Sequence, residues 1–297
     1  MKYSNNKVYD STSQLTICIP AFNEEKVIEA VLNDVINFAP NSEIIVVDDG
    51  SVDLTADIVK KFNEVTLLSN FTNLGYGASL KYAMKKSTRD FILWFDSDGQ
   101  HSAKDIEKVI LPLLNDKADC VIGLRPRHKT SYQRKYGKKL IQFAANRVAG
   151  EKILDFNSGL RCFRKNIILK YIHLLPNGFS ASTTSTLIFI KRGYRLQYEK
   201  ISINERVGKS TIRFFRDGLR TFSTILNIFI LFDSLKFFGI IGTGMLTIGL
   251  LYGLYFSFLN SMGFPVLGST IMLFGFLTIL FGIISEQITA IRKEKFE

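Results

Sequence analysis

Cysteine is scarce in this 297-residue chain, and the three present (Cys18, Cys120 and Cys162) lie far apart. Their spacing fits neither a disulfide framework nor a zinc site. The three histidines are equally scattered. Common chemical signatures are missing as well. No G-x-x-x-x-G-K-[ST] occurs, and no G-x-G-x-x-G follows the first strand-like run, which excludes two familiar nucleotide cradles. The G-x-S-x-G elbow of acyl-transfer enzymes is also absent. The opening stretch, MKYSNNKVYDSTSQ, lacks the apolar centre of a signal peptide, so the first domain is expected to stay in the cytosol.

Basic charge and hydrophobicity are plentiful. Lys and Arg number 38 against 27 Asp and Glu, a formal charge of +11 that favours an anionic partner such as nucleic acid, lipid headgroups or a phosphorylated substrate. Hydrophobic residues make up 46% of the chain, high for a soluble protein. Much of this excess lies in two uncharged stretches, 237–259 and 264–284, separated only by NSMG. Each is long enough to cross a bilayer, for which about 20 residues suffice. Together they predict a membrane hairpin over 233–297. Arg213, Arg216, Arg220 and Lys236 precede it, and Arg292, Lys293 and Lys295 follow, whereas the connecting loop carries no basic residue. The positive-inside rule then puts both ends, and the N-terminal domain, on the cytoplasmic side. In 211–232, Phe215, Leu219, Phe222, Leu226 and Phe229 share one helical face and the arginines another, the pattern of a helix lying in the headgroup layer.

Residues 1–210 read differently. Short apolar runs at 14–19, 43–47, 65–68, 91–95 and 119–122 alternate with segments of helical spacing. This is an α/β pattern with a mainly parallel sheet covered on both faces. Ligands of such sheets bind outside the carboxyl ends of the strands. The sequences found there are Pro20-Ala-Phe22-Asn23-Glu24, then Asp48-Asp49-Gly50-Ser51, then Asp96-Ser97-Asp98-Gly99-Gln100. Asp53-Leu-Thr55 reads more simply as a helix cap. If 96–98 is extended, Asp96 and Asp98 point the same way. Paired carboxylates with an amide nearby suit Mg²⁺ or Mn²⁺, with further ligands from substrate phosphates.

The stretches IPAFNEE (19–25), VVDDGSVDLT (46–55), NLGYGASL (73–80), FDSDGQH (95–101), NSGLRCFRK (157–165) and ERVGKST (205–211) occur in the order expected of a family 2 glycosyltransferase. With its terminal hairpin the chain resembles the polyprenyl-phosphate glycosyltransferases, relatives of dolichol-phosphate mannose synthase. The resemblance implies an A-type glycosyltransferase domain that transfers a hexose, with inversion, from a nucleotide sugar to a membrane lipid phosphate. UDP-glucose, a UDP-N-acetylhexosamine and GDP-mannose are the candidate donors, and undecaprenyl or dolichyl phosphate the acceptor. It also implies that Pro20, Phe22, Glu24 and Asp49 line the nucleoside pocket, with Ser97 beside them. Asp96, Asp98 and Gln100 would hold the metal and diphosphate. Arg125, Arg161, Arg206 and Lys209 would face phosphates, with Asp96, Asp98 and Arg206 the catalytic set and Arg134 and Lys138 further candidates.

Two departures stand out. The motif around Arg206 ends Ser210-Thr211 where the family usually has Ser-Lys, and no acidic base appears in 179–187. A phosphate acceptor, already ionised near neutral pH, needs no base. Two other readings compete: a polysaccharide-extending membrane glycosyltransferase, and a non-catalytic membrane-anchored nucleotide-sugar sensor. The sole tryptophan, Trp94, lies within a strand-like run and cannot supply the Gln-x-x-Arg-Trp motif of the extenders. Nucleic-acid binding explains neither the acidic edge nor the hairpin. Sequence leaves the sugar, the nucleobase and any homo-oligomeric association undetermined.

Overall fold

The computed structural model describes residues 12–126, 142–143, 145–204, 214–260 and 263–296. The chain folds as two compact units, Met1–Ile225 and Leu226–Glu297.

The first unit is built on seven strands: β1 (Leu15–Ala21), β2 (Glu43–Asp48), β3 (Val65–Ser69), β4 (Phe91–Trp94), β5 (Cys120–Leu124), β6 (Arg161–Arg164) and β7 (Leu196–Lys200). Between them run α1 (Ile28–Phe38), α2 (Thr55–Val59), α3 (Tyr76–Lys86), α4 (Asp105–Leu114), α5 (Lys165–Lys170) and α6 (Ala181–Lys191). The sheet order is β3-β2-β1-β4-β6-β5-β7. All neighbours are parallel except β6, which runs antiparallel to both β4 and β5. The five expected strands are all present. β6 and β7 are additions that the apolar runs do not reveal.

Strand periodicity sorts the core into two layers. Leu15, Ile17 and Ile19 of β1, Ile44 and Val46 of β2, and Leu93 of β4 pack with α1 and α4 residues such as Leu32, Val35, Ile106 and Val109. The alternate residues face the other way. There Trp94 reaches Met84 of α3, Nε1 to Sδ at 3.4 Å, and its ring lies 4.9 Å from Phe163 of β6. Phe163 in turn lies 5.5 Å from Phe189 of α6. Both sheet faces are thus covered, which explains the unbroken apolar runs.

Strand order reverses at β1. Connections from β1 to β2 and β3 extend the sheet one way, while β4 flanks β1 on the other side. The carboxyl ends of β1 and β4 therefore flank the switch point where open α/β sheets bind ligands. Cys18 pairs with Trp94 in that register, which brings the residues just after each to a common level.

The second unit contains most of α7 (Phe214–Asn260) and all of α8 (Val266–Phe296). Backbone geometry leaves the helical region at Asp233 (φ −140°, ψ 45°), dividing α7 in two. Glu286 of α8 spans that break, accepting from the Ser234 hydroxyl at 2.9 Å and the Leu235 N–H at 3.4 Å. It satisfies a donor that a helix beginning there would otherwise leave unpaired. Small residues let the two helices approach closely. A Cβ on Gly242 would lie 2.6 Å from the Gly275 carbonyl oxygen, and one on Gly249 would lie 2.9 Å from that of Gly268. Segments Ile225–Leu259 and Val266–Ile291 are long and apolar enough to cross a membrane. Ile248, Leu251, Phe258 and Phe281 are all more than 60% exposed. A soluble core hairpin would bury such side chains, whereas a bilayer would cover them.

Candidate active site

Three loops meet at the switch point, and hydrogen bonds join them. After β1, the Asn23 N–H donates to the Ser51 hydroxyl (2.9 Å), and the Glu24 N–H to the Thr55 hydroxyl (2.8 Å). The Val52 N–H donates back to Asn23 Oδ1 at 2.9 Å. Asp53 accepts from the Thr55 N–H (3.0 Å) at the start of α2 and from the Glu25 N–H (3.2 Å), while Leu54 occupies the N-cap position itself. The third loop is fixed at Ser97, whose hydroxyl donates to the Pro20 carbonyl at 2.8 Å. Phe22 and Glu24, in the loop after β1, are half-buried.

Asp96 and Asp98 do not form a continuation of the strand. β4 ends at Trp94, and residues 97–98 form a turn that passes through Gly99 at φ +73°. The Asp98 carboxylate closes this turn by accepting the Gln100 N–H at 3.1 Å. The Asn204 N–H fixes it from outside by donating to the Gln100 carbonyl at 2.9 Å. The pleat expected from D-x-D spacing is therefore replaced by a turn. The physical reason is the Asp side chain itself, which bonds the backbone two residues on.

Asp96 is the hub. Its Oδ1 accepts the Tyr76 hydroxyl at 2.8 Å, and His101 Nε2 lies 3.5 Å from Oδ2. Gly159, in the loop before β6, leaves the room: a Cβ there would sit 1.8 Å from Asp96 Oδ2. Burial pushes the Asp96 carboxyl upward. The hydrogen bonds from His101 and Tyr76 and the Arg125 charge outweigh burial, so it rests below the ordinary carboxylate value. Asp96 thus stays an anion at 27% side-chain exposure. Sequence reasoning missed Tyr76, His101 and Gly159 as its partners, although Tyr76 and Gly159 lie inside the motifs NLGYG and NSGLR.

Other expected ligands sit in different roles. Asp49 is buried, and its carboxylate accepts the Asn70 side-chain amide (2.7 Å) and the N–H groups of Leu74 (3.0 Å) and Gly75 (2.8 Å). It shapes the glycine-rich loop entering α3. Gly77, in the first turn of α3, admits a close neighbour, since a Cβ there would lie 2.1 Å from the Pro176 carbonyl oxygen. Arg125 gives its fork to Asp155, with contacts of 2.8 and 2.9 Å. Arg206, Lys209, Arg134 and Lys138 lie outside the described residues, as do the arginine side chains of the amphipathic stretch.

Arg161 departs furthest from a phosphate-facing place. It is fully buried, because β6 alternates and Arg161 points with Phe163 toward α6. It pairs across the sheet with Trp94, its guanidinium 5.7 Å from that ring centre. Its donors reach the Ser158 carbonyl (2.6 and 2.9 Å), the Ser182 carbonyl (2.6 Å) and the hydroxyls of Ser185 (2.9 Å) and Thr186 (3.1 Å). Replacing Arg161 with Ala strands these acceptors and opens a cavity. The expected loss is about 3 kcal/mol or more, read as a lower melting midpoint of the detergent-solubilised chain. An unchanged midpoint would assign Arg161 no structural role.

The residues at the switch point carry hard oxygen donors, the ligand type that Mg²⁺ and Mn²⁺ take. Asp96, Asp98 and Gln100 offer oxygen donors on one loop. Among the described residues no three His, Cys, Asp or Glu side chains form a closed cage. A partial shell of this kind suits Mg²⁺ or Mn²⁺, which fill theirs with water and phosphate oxygens.

Residues 16–172 match the model "Glycosyl transferase family 2", just over half of the chain. The chain belongs to this family. Residues 235–291 match a second model, "GtrB C-terminal hairpin". Among curated proteins it is 33% identical over 211 residues to the UDP-N-acetylglucosamine–dolichyl-phosphate N-acetylglucosaminyltransferase of Methanococcus voltae, covering 63% of this chain and 83% of that one. It is 24% identical over 264 residues to the dodecaprenyl-phosphate galacturonate synthase of Rhizobium johnstonii, covering 82% and 76%. These relatives and the hairpin place it in the polyprenyl-phosphate group of the family. The fold matches glucosyl-3-phosphoglycerate synthase of Mycobacterium tuberculosis, crystallised with Mn²⁺, UDP-glucose and phosphoglyceric acid. That match has a TM-score of 0.61 at 17% identity and covers 76% of this chain and 84% of that one. Its domain accordingly has the A-type glycosyltransferase fold.

Proposed function

We propose that this protein transfers a hexose from a UDP- or GDP-linked sugar to undecaprenyl or dolichyl phosphate, with inversion, at the cytoplasmic membrane face. The observation carrying this reading is the anionic Asp96–Asp98 loop at the switch point, in a chain that ends in a membrane hairpin. Asp96, Asp98 and Gln100 would hold Mg²⁺ or Mn²⁺, which when bound supplies positive charge to the departing diphosphate. Phe22 offers a face for the base, and Glu24 can accept from base or ribose. An oxygen of the lipid phosphate attacks the anomeric carbon as the bond to the nucleoside diphosphate breaks. No side chain takes a proton from that nucleophile, in keeping with the absence of an acid in 179–187. Catalysis then rests on positioning and on charge stabilisation. Arg206 and Lys209 are assigned to the acceptor phosphate. The basic flanks of the hairpin support the cytoplasmic orientation, and juxtamembrane arginines attract anionic headgroups.

The purified full chain, incubated with Mg²⁺ or Mn²⁺, radiolabelled UDP-glucose, UDP-N-acetylglucosamine or GDP-mannose, and a polyprenyl phosphate, should yield a labelled lipid. Chelation should stop its formation. Donor binding without any labelled lipid would instead favour the sensor.

A further inference from the structure

Among the described residues, Asp96 receives one short side-chain hydrogen bond, and that bond comes from α3 rather than from its own loop. Tyr76 Oη lies 2.8 Å from Asp96 Oδ1. The second contact, from His101, is looser at 3.5 Å, and the buried His101 Nδ1 has no hydrogen-bond partner among the described residues. Packing holds the imidazole, with its ring edge against Phe95 at 5.9 Å. Tyr76 is thus the directional contact.

The phenol is itself held from several sides. Its ring stacks on Phe179, with centroids 5.4 Å apart and planes 21° from parallel. Gly75 and Gly77 flank it, and a Cβ on either would strike the 176–177 backbone, so its own backbone is fixed against that loop. Burial, and then the Asp96 charge, keeps the phenol's pKa well above its usual value. The hydroxyl donates to Asp96 Oδ1. A donor held in this way takes up one of the carboxylate's roughly four acceptor sites.

We propose that Tyr76 is a positioning residue for Asp96: its hydroxyl fixes the carboxylate in the space Gly159 leaves and thereby sets the divalent-cation affinity of this loop. The proposal rests on the reading above that the loop binds a divalent cation. Partners that orient a metal ligand typically change metal affinity by about ten- to a hundredfold.

Mn²⁺ titration of the full-length chain in detergent, followed by loss of the free-ion electron paramagnetic resonance signal, tests this. Tyr76→Phe keeps the ring and its stack on Phe179, and it should raise the Mn²⁺ dissociation constant about tenfold. Its melting midpoint without metal should stay near that of the parent. Added to Asp96→Ala, the same change should weaken Mn²⁺ binding no further, because the group it orients is gone. Parent-like Mn²⁺ affinity in Tyr76→Phe overturns the proposal, as does an independent, additive loss in the double variant. A lower midpoint with unchanged affinity also overturns it, by reducing Tyr76 to a packing role. These outcomes are separable from the functional reading. A parent chain that binds Mn²⁺ but makes no sugar lipid defeats that reading and leaves the Tyr76 result standing.

Discussion

Asp98→Asn is expected to lower sugar transfer by at least about a hundredfold with little change in folding. Asp98 is 9% exposed, and its Oδ1 accepts the Gln100 N–H that closes the turn. An asparagine oxygen can accept the same bond, so the turn survives. What disappears is a negative charge beside the proposed diphosphate site. The neutral amide neither balances a divalent cation nor repels Asp96, so the variant separates charge from shape. Turnover and melting midpoint measured on one preparation decide the matter. Near-normal turnover in a folded variant would remove Asp98 from the catalytic machinery.

The second large effect comes from one methyl group. In Gly159→Ala the new Cβ would fall 1.8 Å from Asp96 Oδ2 and 2.3 Å from its Cγ. Contacts that short cannot persist, and the part able to yield is the short Asp96 side chain. Swinging it aside breaks the 2.8 Å bond to Tyr76 and moves the carboxylate away from His101. Overpacking of this kind typically costs about 1–3 kcal/mol of stability. Displacing a reacting-site group by about 1 Å costs about a hundredfold in rate. Transfer should therefore fall far more than the melting midpoint does. Full activity in Gly159→Ala would mean that the observed pose of Asp96 is not the working one.

How far the sequence revealed this site can be judged residue by residue. The five apolar runs became strands because both sheet faces are covered, and the two uncharged stretches became long helices. β6 was hidden because Arg161 and Arg164 bracket Cys162 and Phe163, and a buried arginine does not read as core. β7 (LQYEK) is half-exposed and polar. α6 has no amphipathic stripe, since Ser182, Thr183, Thr184, Ser185 and Thr186 are buried together with Leu187 and Ile188. At the site, the D-x-D and the loops that gather around it were legible as a set. The division of labour within it was not. Asp49 looks like a ligand in the sequence, yet its three donors come from residues more than twenty positions away. The partners of Asp96 likewise come from α3 and from the loop before β6, and only the folded sheet brings them together.

The leaving group of the reaction tests the central proposal most directly. With whichever donor of the panel supports reaction, nucleotide release and lipid mass are measured on the full chain with polyprenyl phosphate. One nucleoside diphosphate should appear for each lipid that gains a single hexosyl group on its phosphate. Release of nucleoside monophosphate with a lipid diphosphate, or no sugar lipid from any donor, would contradict hexosyl transfer.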